Sequence, residues 1–144
     1  MYHFNMRAKL NELLKIVEEE YKKVEKSYQM AKESAQEIAK TALTSHSQAG
    51  DRFHSQGAMD IAEERLKNVE KLLFELKSSE INKIVSFTEV PCYIKTDKTD
   101  FFLVKNTILI SGVRLVSANS VIGKDIINKQ VGNIVNGIEI LEIE

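Results

Sequence analysis

The chain has 144 residues, enough for one medium domain or two small ones. Its 20 Lys and Arg nearly cancel its 21 Asp and Glu, which argues against a protein that coats duplex nucleic acid through a basic excess. No apolar run approaches the roughly 20 residues of a membrane helix and no signal peptide opens the chain, while the single cysteine, Cys92, excludes an intramolecular disulfide framework and fits a reducing cytoplasm.

The chain breakers are placed unevenly. Only Gly50 and Gly57 precede residue 80, whereas Pro91, Gly112, Gly123, Gly132 and Gly137 all follow it. The chain therefore divides into a half built for long helices, residues 1–80, and a half built for short strands and turns, residues 81–144.

In the first half, Leu14, Val17, Tyr21, Val24, Tyr28, Ala31, Ala35, Ile38 and Ala42 step by 3 and 4 in alternation. That is a heptad seam, which keeps one stripe of a helix against a partner. It predicts a helix from about Arg7 to Leu43. A second seam, Met59, Ala62, Leu66, Val69, Leu73 and Leu76, predicts a helix starting near residue 55 and ending at Ser78–Ser79. Small polar residues and two glycines between the seams read as a turn near 44–57. Two seams joined by a short connector fold back as an antiparallel coiled-coil hairpin, with a helix pair that dimerises into a bundle as the alternative. The first helix is the longer, so its start is expected to pack on the other half.

In the second half the short apolar run Ile84–Phe87 leads to Pro91, and Cys92–Lys95 follows. Thr96–Asp100 reads as a hairpin loop, and Phe101–Val104, Thr107–Ile110 and Val113–Val116 as strands. Ser120 is placed to cap a short helix through Ile127. Asn136–Gly137, between Val131–Val135 and Ile138–Ile143, supplies the paired positive φ angles of a type I′ hairpin. The expectation is an α+β chain, a helical hairpin followed by a small antiparallel β domain whose lone Cys92 is a buried hydrophobe.

Several of these stretches resemble the GreA/GreB transcript-cleavage factors of bacterial RNA polymerase. Gly50–Asp51 and the helix after it are similar to that family's tip, a Gly-Asp followed closely by a second acid. Ser120-Val121-Ile122-Gly123-Lys124, then Ile126 to Gly132, are similar to its Ser-Pro-hydrophobic-Gly-Lys and Gly-Lys-Lys-Val-Gly-Asp run. Glu139-Ile140-Leu141-Glu142 is close to its terminal Glu-Ile-Leu-Glu strand. The resemblance implies an FKBP-like β domain without an isomerase role. It also implies a coiled coil that enters the polymerase secondary channel, and docking through Asn119, Ser120, Val121, Ile122 and Gly123. Val121 stands where the family carries proline, which frees that loop.

In the family, acids at the tip help hold a second Mg²⁺ beside the backtracked RNA 3′ end. Hard oxygen ligands suit that ion, and two metals steady the attacking and leaving oxygens. Asp51 matches the first acid. His54 stands where the second is expected, and imidazole is a poor ligand for Mg²⁺. Three roles stay open for Asp51: it caps the second helix, it helps position Mg²⁺ or water within the polymerase active site, or it belongs to a tip that blocks the channel without cleavage. Phe53 packs across the hairpin end or touches the channel wall. A connector without cysteine speaks against a transition-metal site from His46, Asp51 and His54.

The implied protein is cytoplasmic and not itself an enzyme. It binds bacterial RNA polymerase, meets the RNA 3′ end indirectly, and has no independent sequence-specific nucleic-acid binding. Charge bears on its chemistry. Residues 1–80 hold 13 basic and 14 acidic residues, the rest 7 and 7, and Asp51 is the one acid between Thr41 and Met59. A structural adaptor that self-associates, or binds another helical partner, is the alternative.

Overall fold

The computed structural model describes the backbone of residues 7–41, 46–80 and 82–144, with the side chains of all these but 41 and 46–54. The chain forms two compact units, one joining the segment up to Glu18 with Lys71–Glu144, the other spanning Glu19–Glu70. The divisions fall inside the two long helices and not at residue 80.

Helix α1 runs over Ala8–Thr41 and α2 over His46–Lys77. The seam periodicity of α1 is observed: Val17, Val24 and Ala35 are buried, while most charged residues between them are exposed and Glu18 and Glu20 are half-buried. Among the described side chains of α2 the fully buried ones are Val69, Leu72 and Leu76, and Leu73 of the expected seam is half-buried beside Leu72. The start of α2 departs from expectation, because helix extends back to His46 through Gly50 and Gly57. Each glycine in a helix interior costs only about 1 kcal/mol, which the length of the helix absorbs.

In the Glu19–Glu70 unit, Arg65 Nη2 donates to the Glu20 carboxylate at 2.6 Å, joining the two helices at a half-exposed position. Within the other unit, Leu10, Leu13 and Val17 of α1 are buried, as are Leu72 and Leu76 of α2. Arg7, just before α1, is buried too. Its guanidinium donates to the carbonyls of Glu80, at 3.1 Å, and Pro91. The first helix thus starts against the sheet-bearing part of the chain, although at 34 residues it is scarcely longer than α2 at 32.

The sheet is built from β1 (Cys92–Thr96), β2 (Asp100–Val104), β3 (Leu115–Ser117), β4 (Ile134–Val135) and β5 (Ile138–Ile143), in the order β3-β2-β1-β5-β4. The expected β1–β2 hairpin is present, with Cys92 opposite Leu103 and Lys95 opposite Asp100. The β4–β5 hairpin turns at Asn136 and Gly137, whose φ angles are 51° and 79°, as Asn-Gly predicts.

Two expectations fail. Thr107–Ile110 belongs to no strand, and β3 pairs parallel with β2, so the sheet is mixed and not purely antiparallel. Residues 105–114 carry the chain back to the end of the sheet where β2 began, and β3 then has to run in the same direction. The core lies on one face, where Cys92, Ile94, Phe101, Leu103, Val135 and Ile140 pack with Ile126 of the short helix α3 (Val121–Ile126). Cys92 is the buried hydrophobe its context suggested, with burial pushing its thiol up to about 12.

Candidate functional site

Residues 117–124, from the end of β3 into the first turn of α3, form the best-defined candidate site. β3 ends at Ser117, and Ala118 N–H donates to the Val104 carbonyl at 2.9 Å, extending the parallel pairing by one bond. The Ser120 side chain then does two things. Its hydroxyl donates to the Ser117 carbonyl at 2.6 Å and accepts from the Gly123 N–H at 3.0 Å. The second bond is an N-cap, satisfying an amide that the helix cannot pair internally. Asn119 is exposed, with its N–H donating to the Ser117 hydroxyl at 3.1 Å.

Gly123 is buried against the same turn. A Cβ there would stand 2.0 Å from the Ser117 carbonyl oxygen and 2.8 Å from Ala118 Cα. Real atoms do not approach so closely, so only glycine lets α3 cross the end of β3 at this distance. Between cap and glycine, Val121 and Ile122 face outward, 80% and 38% exposed. Lys124 and Asp125 follow on the exposed side, and Asn136 Nδ2 donates to the Asp125 carboxylate at 2.9 Å. The site is therefore an apolar pair with charged neighbours, carried on a helix anchored by its first turn.

Two grooves of this unit lie elsewhere. One, of about 550 Å³, is lined by Lys9, Tyr93, Asp100, Phe102 and Arg114; the other, of about 520 Å³, by Lys71, Phe74, Lys105 and Asn106. No residue of α3 lines either. In the first, the Tyr93 and Phe102 rings pack tilted at 56°, their centroids 5.3 Å apart, and the Tyr93 hydroxyl donates to Asp100 at 2.9 Å. Burial and that carboxylate push the phenol up to about 12.

Of the residues singled out in the sequence, Asn119, Ser120, Val121, Ile122 and Gly123 come together at this one turn. The side chains of Asp51, Phe53 and His54 lie outside the described residues. The backbone of α2 nevertheless places Asp51 well inside a helix that begins at His46, so Asp51 is not its N-cap. Among the described residues no group of three or more His, Cys, Asp and Glu is placed to hold a metal ion. Sequence reasoning missed Thr88, which is fully buried under the end of α3. Its surroundings, Ser86-Phe87-Thr88-Glu89, carry no periodicity that marks a buried position.

The fold defines an α+β protein with two long helices and a small mixed sheet. Among its described residues no helix is long and apolar enough to cross a membrane. No family model matches the sequence, and no curated protein matches it. Among solved structures, the chain is similar to GreA factor homolog 1 (Gfh1) of Thermus thermophilus, with a TM-score of 0.32 and 10% identity, covering 91% of this chain and 94% of that one. A likeness of that degree assigns neither a family nor a function.

Proposed function

We propose that this protein is a Gre-like transcription elongation factor. It binds bacterial RNA polymerase through the turn between β3 and α3 and places its long helices, as an antiparallel coiled-coil hairpin, in the secondary channel. The observation that carries this reading is the geometry of Ser120 to Lys124. Ser120 caps α3, Gly123 occupies a position with no room for a Cβ, and the two residues between them are turned outward. These are positions at which the chain resembles the family's Ser-Pro-hydrophobic-Gly-Lys run, and Ser120 and Gly123 each have a physical reason to be what they are. An exposed apolar pair on an anchored helix suits docking onto another protein.

In this reading the sheet-bearing unit is FKBP-like without being an isomerase, and the protein is a cytoplasmic accessory rather than an enzyme. Asp51 is its single acid in the segment that meets the channel interior. Any Mg²⁺ is held jointly with the polymerase, hydrolysis of RNA takes place in the polymerase active site, and the RNA 3′ end is met indirectly. With His54 beside that lone acid, modulation of elongation is the main role and transcript cleavage a weak one.

The test is binding of the full-length chain to bacterial core RNA polymerase at low salt. Ile122→Glu and Val121→Glu leave the core untouched and should remove binding. Unchanged affinity in both variants would sink the docking assignment. Self-association that rises with concentration, without affinity for polymerase, would favour the adaptor role instead.

A further inference from the structure

Thr88 belongs to no helix or strand, yet it is fully buried. Four hydrogen bonds tie it to the last residue of α3 and to the segment that follows it. Its hydroxyl donates to the Ile126 carbonyl and accepts from the Lys129 N–H at 2.8 Å. Its own N–H donates to the Lys129 carbonyl at 2.8 Å, and its carbonyl accepts from the Asn128 N–H at 2.9 Å. Asn128 adopts φ 59°, the left-handed conformation that asparagine tolerates.

Helix α3 has six residues, too few to hold a course without outside support. Its first turn is fixed by the Ser120 cap and by the contact of Gly123 with Ser117. Its last turn exposes carbonyls that have no partner within the helix, and the Thr88 hydroxyl takes that of Ile126. The helix is thus held at both ends by segments far apart in sequence.

We infer that Thr88 is a positioning residue for the docking surface: by fixing the far end of α3 it sets the direction in which Val121 and Ile122 face a partner. The inference rests on the docking role proposed above. Without the hydroxyl, the Ile126 carbonyl and the Lys129 amide lose a buried partner. The helix then samples other tilts, and affinity falls with the fraction of molecules that present the apolar pair correctly.

The experiment compares full-length wild type, Thr88→Val and Thr88→Ser for affinity to core RNA polymerase, each alone and combined with Ile122→Ala. Thr88→Val should bind about tenfold more weakly, the cost of losing a buried hydrogen-bonding partner. Thr88→Ser, which keeps the hydroxyl, should stay within about twofold of wild type. In the Ile122→Ala background, Thr88→Val should cost little more, because both residues act through one surface. Equal binding by wild type and Thr88→Val overturns the inference alone. So does an equal loss in both backgrounds, which marks general destabilisation. If Thr88→Val does not melt cooperatively, Thr88→Ala takes its place in the same cycle. A wild-type chain that binds no polymerase removes the docking role itself, and this inference with it.

Discussion

A Cβ on residue 123 would stand 2.0 Å from the carbonyl oxygen of Ser117, so α3 and the end of β3 meet at Gly123 backbone to backbone. That contact lets Ser120 reach both the Ser117 carbonyl and the Gly123 amide, closing a turn that carries Val121 and Ile122 on its outside.

Gly123→Ala should therefore destabilise the protein. Helix propensity favours alanine by about 1 kcal/mol, but overpacking against atoms that cannot rotate away costs about 1–3 kcal/mol or more. The overlap here is with backbone atoms, so the steric cost wins, and a net loss of about 1–2 kcal/mol is expected in urea unfolding. Unchanged or increased stability would show that β3 and α3 can separate cheaply.

Glu75 should matter more than its half-exposed place on α2 suggests. Its carboxylate accepts the backbone N–H of Lys105 at 2.7 Å and those of Asn106, backbone and side chain, at 3.0 Å each. These bonds hold the chain where it leaves β2 for the return to β3. Glu75→Ala should cost about 2 kcal/mol, in the range for hydrogen bonds to a charged group, and Glu75→Gln less. Amide exchange at residues 105 and 106 should quicken in Glu75→Ala; unaltered exchange there would contradict the role.

Alkaline pH should destabilise the fold through Cys92. Burial pushes the thiol of the folded chain up to about 12, above its ordinary 9.0. The folded state therefore keeps a proton that the unfolded state releases. The stabilisation is complete below pH 9 and is lost as pH rises from there toward 12. Tyr93, likewise raised from 10.0 to about 12, acts in the same sense. Cys92→Ala, whatever its stability at neutral pH, should show a shallower fall between pH 9 and 11 in urea midpoints. The native thiol should also resist maleimide until the chain unfolds.

The chemistry of the tip can be tested on backtracked polymerase complexes. With Mg²⁺ present, His54→Glu should increase RNA shortening over wild type, because a second carboxylate supplies the hard ligand that imidazole does not. Adding Asp51→Asn to that variant should remove the gain. No gain in His54→Glu would mean that the lack of a second acid is not what limits cleavage.

Much of this molecule was legible in its sequence. The seam of 3 and 4 steps to which Val17, Val24 and Ala35 belong marked the buried stripe of α1, since a helix returns to the same face at those steps. Asn136–Gly137 marked its hairpin because few other pairs accept two positive φ angles. Ser120 marked the start of α3, since its hydroxyl can serve an amide only three residues away. The docking role of Asn119 to Gly123 came from the family resemblance alone; only the Ser120 cap within that turn was local enough to read.

What depended on distant segments was not. The near-neutral composition set no direction for β3, and the alternation of Val113–Val116 suits either pairing. The parallel pairing arose only because residues 105–114 return the chain to the starting end of β2. Thr107–Ile110 has strand composition but joins no strand, as composition creates no partner edge. Thr88 is buried by bonds to residues about 40 positions away, which no local pattern encodes. By itself the sequence determined the periods, caps and turns, because these act within a few residues. The tertiary structure alone decided strand direction and what holds α3 in place, because both depend on which distant backbone groups meet.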